Sequence, residues 1–185
     1  MNITIIAGSN HSAATSTRLS EYIKHLAVQE GHNVTLIDLY RTPLPFYSPE
    51  DTHGGHQALE GFKHALLEAD GIVLATPEYH SGISGVLKNA LDHVGQDHFN
   101  NKAVLSVSSA GGAVAVSSLT QLQTIVRNLH GINCPEWISI GGDQRKSFRV
   151  DVAFADIHPD VDLRVRRVVR SFLGLAQQLT ASVTK

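Results

Sequence analysis

The sequence predicts an α/β fold, a parallel five-stranded sheet with helices on both of its faces. Two observations predict it. Short apolar, partly β-branched runs recur at residues 2–7, 34–39, 72–75, 103–107 and 133–140. Continuous rather than alternating apolar character marks strands buried on both sides. Between these runs the apolar residues repeat at i, i+3 and i+4, which is one face of a helix. Strand and helix thus alternate, as they must when a crossover helix joins parallel strands.

Bulk properties narrow the class further. The 185 residues can bury a core of ordinary size, and 42% hydrophobic with 17% charged residues suits a globular chain. The formal net charge of −2 gives no electrostatic basis for binding nucleic acid or an anionic membrane. No apolar run reaches the ~18 residues of a membrane span. A start without a charged and apolar leader points to the cytoplasm. The single Cys134 cannot close an internal disulfide and reads as a small packed hydrophobe. No repeat or linker interrupts the chain, so residues 1–185 are expected to form one domain.

In chain order, the first strand runs into Gly8-Ser9-Asn10-His11-Ser12-Ala13-Ala14-Thr15-Ser16-Thr17-Arg18. Leu19, Ile23, Leu26 and Ala27 then mark the inward face of a helix that stops at Gly31. Unpaired N–H groups at this helix start, its dipole and the hydroxyls around it suit a phosphate. The alternative is that Ser16 merely caps the helix. There is no G-x-G-x-x-G for a dinucleotide and no G-x-x-x-x-G-K-[ST] for a nucleoside triphosphate. A hydroxyl-lined loop without lysine fits a terminal monophosphate, to which Arg18 could add a charge-assisted contact.

The second strand leads to a stiff loop in which Pro43, Pro45 and Pro49 surround Phe46 and Tyr47. It is expected to pack on the domain, to form a lip over a ligand, or to meet another subunit. His53-Gly54-Gly55-His56 lacks a carboxylate or Cys at metal-binding spacing and reads as a flexible surface turn. Leu59, Phe62, Lys63, Leu66 and Leu67 give the second helix.

The third strand is bounded by Gly71 and Pro77, and Ser84 is placed to cap the helix of Leu87, Ala90, Leu91 and Val94. Between them lies Pro77-Glu78-Tyr79-His80-Ser81-Gly82, at the carboxyl edge of the sheet where open α/β folds bind ligands. Residues 95–101 turn the chain. The fourth strand ends in Ser108-Ser109-Ala110-Gly111-Gly112, which again offers hydroxyls and permissive backbone at that edge. Leu119, Leu122, Ile125, Val126 and Leu129 make the next helix, closed by Gly131. Pro135 gives the fifth strand an edge position or an irregular start. Residues 141–157 show no periodicity that assigns an element. Past Pro159, Val161, Val165, Val168, Phe172 and Leu179 face inward on a last helix, while Arg164, Arg166, Arg167 and Arg170 lie on its solvated side.

The string PEYHSGISGVLKNALD, residues 77–92, resembles the flavin-binding signature of the NAD(P)H-dependent FMN reductase family, closest to its azobenzene reductase-like branch. His80 stands where the family more often has Asn. The first loop is similar to the family's phosphate loop but lacks the usual early Arg, for which Arg18 or His11 is the substitute. The resemblance implies a flavodoxin-like three-layer fold with strand order 2-1-3-4-5. It implies FMN as cofactor, NADPH or NADH as donor, and a flavin, quinone or azo compound as acceptor. Ser9, His11, Ser16, Thr17 and Arg18 would hold the phosphate; Pro77, Glu78, Tyr79, His80 and Ser81 would line the ring; Ser108, Ala110, Gly111 and Gly112 would approach its pyrimidine end. No acid–base residue is required, because the cofactor carries the redox chemistry. The family also implies pairing across the helix after the Pro77 loop, hence a homodimer or homotetramer. The rival reading of the same loops is a non-enzymatic flavodoxin-type electron carrier, which the absence of an acidic docking face disfavours.

Overall fold

A computed structural model of the chain describes residues 1–51 and 53–183. Its centre is a parallel sheet of β1 (Asn2–Ala7), β2 (Asn33–Asp38), β3 (Gly71–Pro77) and β4 (Ala103–Ala110), completed by β5 (Ile132–Asn133) and β6 (Ile138–Gly141). The order is β2-β1-β3-β4-β5, with β6 also paired to β4. The expected order 2-1-3-4-5 and the three layers are therefore present.

The interior strands are apolar on both faces for a visible reason. Ile3, Ile5, Val73, Ala75, Leu105 and Val107 enter one core with Leu19, Tyr22 and Ile23 of α1 (Thr15–Gln29) and Val165, Val169 and Phe172 of α6 (Pro159–Val183). Their neighbours Ile6, Ile72, Leu74 and Val104 enter the second core. There they meet Leu59 and Phe62 of α2 (Gln57–Leu67), Leu87 and Leu91 of α3 (Gly85–Asp92), and Leu122 and Val126 of α5 (Ser117–Asn128). Period-two alternation sends successive side chains into opposite cores, so the interior strands are apolar on both faces apart from a few small hydroxyl residues such as Thr4 and Ser106.

The expected single fifth strand over 133–140 is corrected to two short pieces on the same edge. Ile132 pairs with Ala103 and Ile138 with Val107, and Pro135 lies in the gap. Proline has no N–H to give the ladder, so pairing stops before it and resumes beyond it. The turn expected over 95–101 contains one helical turn, α4 (Gln96–Phe99), which buries Phe99. Residues 142–148 and 154–156 form 3-10 helices. Of the arginines expected on the solvated side of α6, Arg166 pairs with Asp162, Arg167 with Glu136 and Arg170 with Glu30, whereas Arg164 is half-buried and donates to Ser139 O and Gln144 Oε1.

Candidate functional site

The loops after β1, β3 and β4 meet at the carboxyl edge of the sheet around a hollow of about 240 Å³. Its lining is His11, Ala13, Ala14 and Thr15 from the first loop, Pro77, Glu78 and Tyr79 from the second, and Ser109, Ala110 and Gly111 from the third, with Arg145 added. A larger hollow of about 650 Å³ lies between the 142–148 helix and the start of α6. None of the three loops reaches that one.

Hydrogen bonds fasten the loops to one another. Gly8 N donates to Ala75 O at 2.8 Å, and Ser84 Oγ donates to Gly8 O. The same Ser84 hydroxyl accepts from Leu87 N and so caps α3, while Ser84 N donates to Thr76 Oγ1. Gly8 has no room for a side chain, since a Cβ would stand 2.7 Å from Leu87 Cβ and 2.8 Å from Ala75 O. Close approach of the first loop to α3 is what requires glycine here. Ser9 Oγ, fully buried, accepts from His11 N, and His11 Nδ1 accepts from Ala13 N, so both residues shape the loop.

The second loop is tied to the third and to α5 by Glu78. Its N–H donates to Ser109 O at 2.7 Å, and its carboxylate accepts from Ser118 N at 2.8 Å and Ser118 Oγ at 3.0 Å. Ser118 lies in the first turn of α5, where a negative charge is favoured by the helix dipole. Ser118 Oγ also meets Ser108 Oγ at 2.6 Å, which places Ser108 beneath the hollow rather than on its wall. Beyond Glu78 the chain reverses: Tyr79 N donates to Gly82 O and Gly82 N to Tyr79 O. His80 and Ser81 form the tip of this tight turn with φ of 50° and 62°. Two non-glycine residues in the left-handed region are strained, a feature that concentrates at functional sites.

The predicted residues therefore divide. His11, Pro77, Glu78, Tyr79, Ala110 and Gly111 line the hollow. Ser9, Ser108 and Gly112 support it from behind or beside, and His80 and Ser81 stand exposed at a loop tip. Ser16 and Thr17 are buried in the first turn of α1, and Ser16 does not cap it: Ala14 occupies that position with no side-chain bond. Their hydroxyls make no hydrogen bond among the described residues. Arg18 is turned elsewhere. Its guanidinium pairs with Glu21 at 2.7 Å, donates to Val152 O at 3.1 Å and lies 4.2 Å above the Phe154 ring. Ala13, Ala14, Thr15, Ser109 and Arg145 were absent from the expected set. The first four sit inside the loops already singled out. Arg145 belongs to the stretch without periodicity, and no signal in the sequence points to it.

Buried hydroxyls without partners are rare in folded chains, and here two lie in the first turn of a helix whose Thr15 lines the hollow. With the free N–H groups of that turn they form a donor set suited to an anionic oxygen cluster. The backbone of Pro77–Tyr79 and Ser109–Gly111 offers a second wall, suited to a flat polar ring.

Comparison with known proteins agrees with this geometry. The family model described as NADPH-dependent FMN reductase matches residues 1–145. An FMN-dependent NADPH-azoreductase of Staphylococcus saprophyticus is 37% identical over 142 residues, covering 73% of this chain and 74% of that protein. Its counterpart in Staphylococcus aureus is 34% identical over 143 residues, with the same coverage. Among solved structures, the flavoenzyme NAD(P)H:acceptor oxidoreductase FerB of Paracoccus denitrificans superposes with a TM-score of 0.79 at 17% identity, over 96% of this chain and 97% of that one. An apo NADH:FMN oxidoreductase gives 0.74 at 22% identity, over 92% and 87%. The structural matches establish the fold; the family model and the sequence identities establish descent. On those grounds the chain belongs to the NADPH-dependent FMN reductase family and is an oxidoreductase.

Proposed function

We propose that the hollow at the carboxyl edge of β1, β3 and β4 receives FMN, and that the chain passes electrons from NADPH or NADH to a small acceptor. The observation that carries this reading is the shared wall of three loops beside two unpartnered hydroxyls at the start of α1. The flavin supplies the hydride and electron chemistry when bound. The protein's own part is to bind and to orient. Ser16, Thr17 and the first N–H groups of α1 would hold the phosphate, with His11 beside them. Pro77, Glu78, Tyr79, Ser109, Ala110 and Gly111 would present backbone and side-chain edges to the ring. Glu78 holds the loop to α5 through Ser118 and is not free to act as a base. One open face serves donor and then acceptor in turn, so ping-pong kinetics are expected. A flavin, a quinone or an azo compound fits the acceptor role, in line with the relatives named as azoreductases.

The active form is proposed to be a homodimer or homotetramer in the cytoplasm, built from one domain per chain. Residues 45–47 are held on α3: Asn89 Nδ2 donates to Pro45 O, Tyr47 N donates to Asn89 Oδ1, and a His93 ring nitrogen meets Pro45 O. Phe46 is thereby presented outward, 88% exposed, with Tyr47 and Tyr79 about half exposed. Aromatic rings held in the open are a common mark of a subunit contact. No helix among the described residues is long and apolar enough to cross a membrane.

The test is direct. Purified protein mixed with FMN and desalted should stay yellow, bleach with NADPH without oxygen, and recover colour on adding a quinone or azo dye. Parallel lines in double-reciprocal plots would support ping-pong turnover. Protein that leaves the column colourless refutes the reading, and light scattering that gives a monomer refutes the oligomer.

A further inference from the structure

We propose that Arg145 is the cation that reads the phosphate of the bound flavin, a specificity residue supplied from outside the three loops. The proposal rests on the FMN reading of the hollow and deepens it. Six of the chain's nine arginines, Arg18, Arg41, Arg149, Arg166, Arg167 and Arg170, pair with a carboxylate. Arg145 does not, among the described residues. It lines the hollow, its Nε lies 3.5 Å from Thr15 Oγ1, and its Nη1 lies 3.7 Å from where a Cβ of Gly111 would be. It therefore bridges the first turn of α1 and the third loop. The acid in the same lining, Glu78, is already committed to Ser118.

The position of Arg145 is set by the backbone rather than by an ion pair. Gly142 N donates to Gly112 O at 2.7 Å, and Gly141 touches the 112–113 backbone so closely that a Cβ would stand 2.4 Å from Ala113 O. This contact fastens the end of β6 to the third loop. The 3-10 helix that follows, Gly142–Phe148, then carries Arg145 across the mouth toward Thr15. An unneutralised guanidinium held at Thr15, in the same first turn of α1 that carries free helix N–H groups and the unpartnered Ser16 and Thr17 hydroxyls, matches a doubly charged phosphate monoester. Arg18, the nearer cation in sequence, is occupied by Glu21 and Val152 and leaves that role open.

The experiment measures dissociation constants of FMN and of riboflavin, which lacks the phosphate, by flavin fluorescence quenching. The full-length wild type, Arg145→Gln and Arg145→Lys are compared. Arg145→Gln should weaken FMN binding about tenfold to a hundredfold, as loss of a charge-assisted bond predicts, and leave riboflavin within about twofold. Arg145→Lys should recover part of the loss, and added salt should weaken FMN binding less in the Gln variant than in the wild type. Equal weakening of both flavins, or no change in either, overturns the proposal. A wild type that binds neither flavin overturns the FMN reading and this inference with it. Unfolding temperatures of the ligand-free proteins serve as the folding control, and nearly equal values are expected because Arg145 is exposed, holds no ion pair among the described residues and has only the long 3.5 Å contact to Thr15 to lose. A lowered unfolding temperature accompanied by loss of riboflavin binding assigns Arg145 a structural role and counts against the proposal.

Discussion

Replacing Gly141 by Ala attacks the joint between β6 and the third loop. The added methyl would stand 2.4 Å from Ala113 O, 2.5 Å from Gly112 O and 2.6 Å from Ala113 C. These are backbone atoms, which cannot swing aside as the end of a side chain can. Restoring ordinary contact, which begins at 3.4 Å, requires a shift of about 1 Å. A shift of that size breaks the 2.7 Å bond from Gly142 N to Gly112 O. Overpacking costs ~1–3 kcal/mol and the lost bond ~0.5–1.5 kcal/mol, together roughly 2–4 kcal/mol. In a chain of this size that lowers the unfolding temperature by about 5–15 °C. The assay is thermal unfolding of the ligand-free protein followed by circular dichroism. Gly112→Ala is the control, because a Cβ there meets nothing within 4 Å and its φ is not left-handed. If Gly141→Ala melts within about 2 °C of Gly112→Ala, the backbone joint described here does not exist.

Ser81→Gly should relieve the left-handed strain at the tip of the second loop, where φ is 62°. After the greater freedom of glycine in the unfolded chain is subtracted, a gain of ~0.5–1 kcal/mol should appear as a higher urea midpoint; a lower midpoint would refute the strain. Burial pushes the Cys134 thiol up to about 12 from an ordinary value of 9.0. At pH 8 the native thiol should therefore react with a disulfide reagent at least about a hundredfold more slowly than the unfolded one. The unfolded thiol loses its proton first as pH rises, so its contribution to stability declines from about pH 9 toward 12. Equal labelling rates in native and denatured protein would contradict this.

Much of the molecule is readable from residue order, because its signals are local. Continuous apolar runs mark strands with two buried faces, and helical spacing marks the covering layers. Ser84 was legible as a cap, since a serine before a helical run states its own bond, here to Leu87 N. The loops at Gly8, Pro77 and Ser108 were legible because strand, permissive turn and helix in succession put a loop at one rim of a parallel sheet. The direction of Arg18, turned from the hollow, was not legible for the opposite reason. Where a guanidinium points depends on Glu21, Val152 and Phe154, and two of those three are distant in sequence.

The chain alone determined the alternating α/β layers and the rim at which three loops gather, since period and turn chemistry are carried by neighbouring residues; the strand order followed from the family resemblance. Only the tertiary structure decided that Arg145 stands at the mouth while Arg18 turns away. It also decided that Pro135 splits the last strand into two and that Glu78 is held by α5. Each of these follows from contacts between segments far apart in the chain, which no local pattern encodes.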